Sequence, residues 1–198
     1  MIQGLLGVLG STVVWFGSIV VALVALAIAG VAIRFHSPRL GLAAVVPVGL
    51  GAAAAIFGLD VVPPDPAYVT VVSIAIAALG IVAGNPITVW VLGRAKSPDP
   101  GADDSEHGGI VVAGEAGARA TREVLRGGWI IGYLERIAII AAIVLGRFEI
   151  VAAVIAVKGL GRFTELDNAA ARERFIIGTL TSIIWAGTCA LVIVAANS

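Results

Sequence analysis

Glu135, Arg136 and Lys158 stand inside apolar sequence, where a charged side chain is costly and by default marks a functional site or a structural pair. Glu135 and Lys158 are complementary and can hold one another as an ion pair, since a lone carboxylate in hydrocarbon takes up a proton rather than stay charged. Arg136 points about 100° further round the same helix. It therefore needs an acceptor of its own, or a path along which its stem can reach the membrane surface. Asn85, Thr179 and Ser182 are the candidate acceptors. A layer of this kind could carry a polar solute or a proton through the inner half of a membrane. It could equally do no more than fix helix register, because intramembrane polar contacts average only about 0.6 kcal/mol.

The elements that must position these residues are membrane spans. With 59% apolar and 13% charged residues in 198, and a mean hydropathy of +1.04, the chain lies far from the roughly 45–50% and 25% of soluble domains. A span needs about 20 predominantly apolar residues. Such runs occupy Leu9–Ile33, Leu40–Gly58, Tyr68–Gly93, Gly128–Gly146, Phe148–Phe163 and Phe175–Ala196. The expectation is an all-α, polytopic membrane protein with six transmembrane helices, in a first half 1–93 and a second half 128–198. A polar linker, 94–127, joins them, with a short amphipathic helix near Ala116–Leu125.

Lys and Arg favour cytoplasmic loops. Eleven of the thirteen, namely Arg34, Arg39, Arg94, Lys96, Arg119, Arg122, Arg126, Lys158, Arg162, Arg172 and Arg174, then fall on one side. The exceptions are Arg136 and Arg147. This orientation makes both termini external and the protein a multi-pass resident of the cytoplasmic membrane. It also gives the two halves opposite orientations, as in inverted-repeat transporters. The internal similarity, such as Gly49-Leu50-Gly51 against Gly159-Leu160-Gly161, is too slight to show a repeat.

Depth follows from counting. If the fourth and fifth spans form a hairpin turning at Arg147, Glu135 lies twelve residues before the turn and Lys158 eleven after it. Both are then about 17 Å from the turn at 1.5 Å per residue. Gly84-Asn85-Pro86 is expected to interrupt the third span, because Pro86 lacks a donor and disfavours helical geometry at Asn85. Broken backbone at that depth is tolerated where protein covers it or where it lines a wet cavity. Pro used simply as a packing kink is the plainer alternative. Gly178, Ser182 and Ala186 form a stripe of small residues suited to close helix packing. At the inner surface Arg162, Arg172 and Arg174 form a basic cluster that could hold a lipid phosphate, though ordinary loop charge explains it as well.

The block from Gly128 to Ser182 resembles the C-terminal half of an uncharacterised family of small bacterial integral membrane proteins. The resemblance is carried by Gly132-Tyr133-Leu134-Glu135-Arg136, Gly146, Lys158 with Arg162-Phe163, Ile177-Gly178-Thr179-Leu180 and Ser182. It implies that the hairpin and the last span form one unit. The His and Asp-Phe...Gln elements of that family's N-terminal half are absent from Met1–Gly93. No activity comes with the resemblance.

Two functions are open. One is a small transporter or channel-like protein for a polar or ionic solute, with Asn85, Glu135, Lys158 and Ser182 around an inward-facing cavity, which a homodimer would enlarge. The other is a noncatalytic scaffold or accessory subunit with a structural Glu–Lys pair. An enzyme is not expected, as no HExxH, GxSxG or paired-His pattern occurs. Zero formal charge gives no case for nucleic acid, and one cysteine, Cys189, excludes an intrachain disulfide. No metal or cofactor is implied, and the partner of the apolar runs is the lipid bilayer.

Overall fold

Residues 2–59, 61–95, 128–163 and 169–198 are described by the computed structural model, and all their regular structure is helical. The elements are α1 (Ile2–Arg34), α2 (Pro38–Gly41), a 3₁₀ turn (Leu42–Ala44), α3 (Val45–Ile56), α4 (Pro66–Leu92), α5 (Gly128–Val144), α6 (Phe148–Phe163) and α7 (Ala169–Ala196). Four stretches, Gly7–Arg34, Pro38–Ile56, Pro66–Leu92 and Ala171–Ala196, are long and apolar enough to cross a membrane. At 17 and 16 residues, α5 and α6 fall short of that length. The linker beyond Ala95, with its expected amphipathic helix, lies outside the described residues.

Many large apolar side chains are on the outside, and most of the fully enclosed ones are small, although Leu79 and Ile139 are also enclosed. Val13, Phe57 and Leu160 are more than 70% exposed, whereas Ala29, Ala44, Ala83, Ala186 and Ala190 are fully enclosed. A soluble protein cannot leave such a surface in water, and helices in lipid gain by bringing small residues and hence backbones together. On α1 the enclosed positions are Ala22, Ala25, Ala29 and Ala32. Their spacing of three and four puts them on one face, which packs on α4.

Helices α4 and α7 form the spine. They run antiparallel: Asn197 Nδ2 donates to Ser73 Oγ at 3.0 Å near one end, Trp185 Nε1 donates to the Gly80 carbonyl at 3.0 Å in the middle, and Gly178 faces Thr88 and Leu92 near the other. On one flank α1 lies against α4 and α3 against α7. On the other, α5 packs on both spine helices, and α6 packs on α5. The most extensive helix contact thus joins segments from the two halves of the chain.

Two expectations need correcting. The second apolar run is not one continuous helix: Leu42–Ala44 tightens to 3₁₀ geometry between α2 and α3. The cause is Pro47, which has no N–H and whose ring excludes the carbonyl four residues back, at Ala43. Nor is the third run interrupted, since α4 continues through Gly84-Asn85-Pro86. Protein packed against both sides of this segment holds it: a Cβ on Gly41 would lie 2.5 Å from the Pro86 ring. Helix α7 also starts earlier than its apolar run, at Ala169, because the intervening Ala, Arg and Glu residues are strong helix formers.

Helices α1 and α5 end by one device. Gly146 (φ 67°) donates to Ile143 O and Arg147 N to Ala142 O, which closes α5 and lets α6 start at Phe148. The same pair of bonds closes α1, with His36 (φ 51°) in the position that glycine usually fills. At the start of α4, Asp65 accepts from Ala67 N at 2.7 Å and Pro66 occupies the first helical position. Asp65→Ala should therefore cost about 0.5–2 kcal/mol, read as a lower melting temperature in detergent.

Candidate functional site

The polar residues sort into three groups. The first is on the hairpin, where Lys158 Nζ on α6 donates to Glu135 Oε2 on α5. Their side chains keep 20% and 13% of their exposure, so the pair lies at the edge of the bundle and not in its centre. At the hairpin turn, Arg147 pairs with Glu149 at 3.4 Å, and both are exposed.

The second group is built around Arg136, which is 3% exposed. Its Nε donates to the carbonyl of Ile81 on α4 at 2.9 Å, and its Nη1 donates to Ser182 Oγ on α7 at 3.3 Å. One guanidinium on α5 thereby ties both spine helices. Room for it comes from missing side chains. A Cβ on Gly84 would sit 2.5 Å from Arg136 Cδ and 2.6 Å from Nε, and one on Gly132 would sit 3.3 Å from Nη1. Gly132 lies one turn before Arg136 on the same face, so the cation is seated in a notch with a glycine on each wall. No carboxylate pairs with it among the described residues; Glu135 next to it in sequence is bonded to Lys158. The Tyr133 ring lies 5.1 Å from Arg136 Cζ, within reach of a cation–π attraction.

The third group surrounds a cavity of about 260 Å³ at the arginine-bearing end of α1 and α4, with His36, Pro38, Asn85, Pro86, Trp129 and Tyr133 in its wall beside aliphatic side chains of α1 and α4. Trp129 and Tyr133 meet edge to face, with ring centroids 5.8 Å apart. Nearby, Arg94 at the end of α4 lies over the Trp90 ring, 3.5 Å from its centroid.

Of the residues singled out from sequence, Glu135 meets Lys158, Arg136 meets Ser182, and Asn85 and Pro86 share the cavity. The Glu135–Lys158 pair stands apart, while the Arg136 group and the cavity meet at Tyr133. Thr179 is half-buried on α7, and Arg172 and Arg174 lie on the first two turns of that helix. Arg162 belongs to α6, and its side chain lies outside the described residues, as does the expected basic cluster that includes it. Sequence reasoning left out the cavity's His36, Trp129 and Tyr133, and the glycines that seat Arg136. The Gly132-x-x-x-Arg136 spacing, which puts both on one helix face, was the available signal.

Fold and site together define an all-helical protein with several helices of membrane-crossing length and buried polar ties between them. No protein-family model, curated protein or solved structure matches the chain.

Proposed function

We propose that the chain is a six-span protein of the cytoplasmic membrane with both termini external, and that it serves as a noncatalytic scaffold or accessory subunit whose intramembrane charges set helix register. The observation that carries this is Arg136: a guanidinium with 3% exposure, bonded to a backbone carbonyl and a serine of two neighbouring helices, is occupied in packing. Glu135 and Lys158 satisfy each other on the hairpin and are not part of the cavity wall. The six-span threading is supported by the segregation of eleven Lys and Arg residues to one side. Helices α5 and α6 reach about 24–26 Å at 1.5 Å per residue. That is a few ångströms less than the hydrocarbon core, a mismatch that local bilayer thinning absorbs.

The second reading is a small transporter for a polar or ionic solute, and the cavity beside Asn85 and Pro86 is what favours it. Reconstitution separates the two. Purified protein in liposomes should pass H⁺, Na⁺, K⁺ and Cl⁻ no faster than empty liposomes leak them. A flux that disappears in Glu135→Gln, while the variant stays folded with its helicity intact, would overturn the scaffold assignment.

A further inference from the structure

The cavity at the arginine-bearing end has a largely apolar wall that carries several hydrogen-bond donors. Asn85, Trp129 and Tyr133 line it with an amide, an indole N–H and a phenol, and none of the three side chains has a hydrogen-bond partner among the described residues. Asn85 and Tyr133 are half-buried and Trp129 is more exposed. All three can donate to an oxygen-rich group.

The charges round the cavity point the same way. Arg136 lies behind the Tyr133 ring, and Arg34 and Arg39 follow directly on Ile33 and Pro38 of the wall. Among the described carboxylates, Asp65 caps the opposite end of α4, Glu149 pairs with Arg147 at the opposite turn and Glu135 holds Lys158, while Glu173, on the first turns of α7, is not part of the cavity wall. With Arg136 against the Tyr133 ring and no carboxylate among the described residues of its wall, the cavity favours an anion. About 260 Å³ is below the roughly 300–1,000 Å³ of sites for drug-sized ligands. It suits a headgroup, and Trp and Tyr are the aromatics that sit at the level of headgroups.

We propose that this cavity binds a phosphate oxyanion, carried either by a membrane phospholipid or by a small free phosphate ester. Asn85, Trp129 and Tyr133 donate to its oxygens, and the Arg136 charge favours it through the Tyr133 ring. Such binding is independent of whether the protein passes a solute.

The test titrates the purified full chain in neutral detergent with dioleoylphosphatidic acid, with dioleoylglycerol, which has the same tails and no phosphate, and with glycerol phosphate. Trp129 emission is the readout and Trp129→Phe the blank. Phosphatidic acid should shift the emission, and Asn85→Asp should weaken its binding at least about tenfold by placing like charges together. Should Asn85→Asp not fold, Tyr133→Phe removes one donor and should weaken binding about three- to tenfold. A response to glycerol phosphate as strong as to phosphatidic acid assigns a free ester, and a response to phosphatidic acid alone assigns a lipid. Dioleoylglycerol binding as tightly as phosphatidic acid, binding unchanged in a folded Asn85→Asp or Tyr133→Phe variant, or no shift with either phosphate compound would overturn the proposal.

Discussion

Lys158→Met should lower the stability of the protein in detergent by about 3 kcal/mol, and adding Glu135→Gln should restore most of the loss. The single change strips the Glu135 carboxylate of the ammonium that it accepts from. At 13% side-chain exposure it cannot be resolvated by water without opening the hairpin. An uncompensated buried charge typically costs about 3–5 kcal/mol, and the residual exposure puts this one at the low end. In the double variant both charges are gone, and a methionine beside a glutamine leaves only a neutral polar group at the bundle edge. The pair itself is thus worth little, while half of it is harmful. Equal melting temperatures for Lys158→Met and the double variant would show that the two side chains do not depend on each other.

The second large effect is at Gly84. An alanine there puts a carbon 2.5–2.9 Å from Arg136 Cδ, Nε and Cζ, closer than atoms can sit. Neither side can readily yield. Helix α4 is held against α7 by Trp185 Nε1 on the Gly80 carbonyl and by Gly80 against Cys189, and Arg136 is fixed by bonds to Ile81 O and Ser182 Oγ. Overpacking of this kind costs about 1–3 kcal/mol. In an Arg136→Ala background the obstacle is removed, and Gly84→Ala should become nearly neutral, a non-additivity of the size seen for contacting residues. The measurement is the melting temperature of the four proteins. The same penalty in both backgrounds would mean that Arg136 does not occupy the Gly84 notch.

Much of the helical layout is legible in the sequence, because in lipid every backbone polar group must be bonded within its own segment and hydropathy alone then marks the helices. The limits of α4, α5 and α6 follow closely from apolar runs, a capping Asp65-Pro66 and a glycine turn at Gly146, whereas α1 begins at Ile2, well before the run expected from Leu9. What hydropathy misses is where local chemistry acts against it. Pro47 tightens the second run into a 3₁₀ turn, and good helix formers extend α7 into its polar flank. Pro86 was expected to break α4, but neighbours packed on it keep the helix continuous.

The site is legible to a lesser degree. Counting from Arg147 brings Glu135 and Lys158 to one depth, and in the structure they are hydrogen-bonded. The main acceptor for Arg136 could not be found this way, since Ile81 offers a backbone carbonyl, which every residue has. The cavity is hidden for another reason. Its wall draws on the α1–α2 turn, the Pro86 segment and the start of α5, and only packing brings these together.

Whether the charges of α5 and α6 are helix ties or part of a water-filled path is decided most directly at Lys158. The chain has two lysines, Lys96 and Lys158, so acylation at each is readily assigned by mass spectrometry. Protein reconstituted in liposomes and exposed on both sides to a water-soluble amine-acylating reagent should leave Lys158 unmodified while a free lysine peptide reacts fully. Acylation of Lys158 as fast as that peptide would place the pair in water and contradict the account.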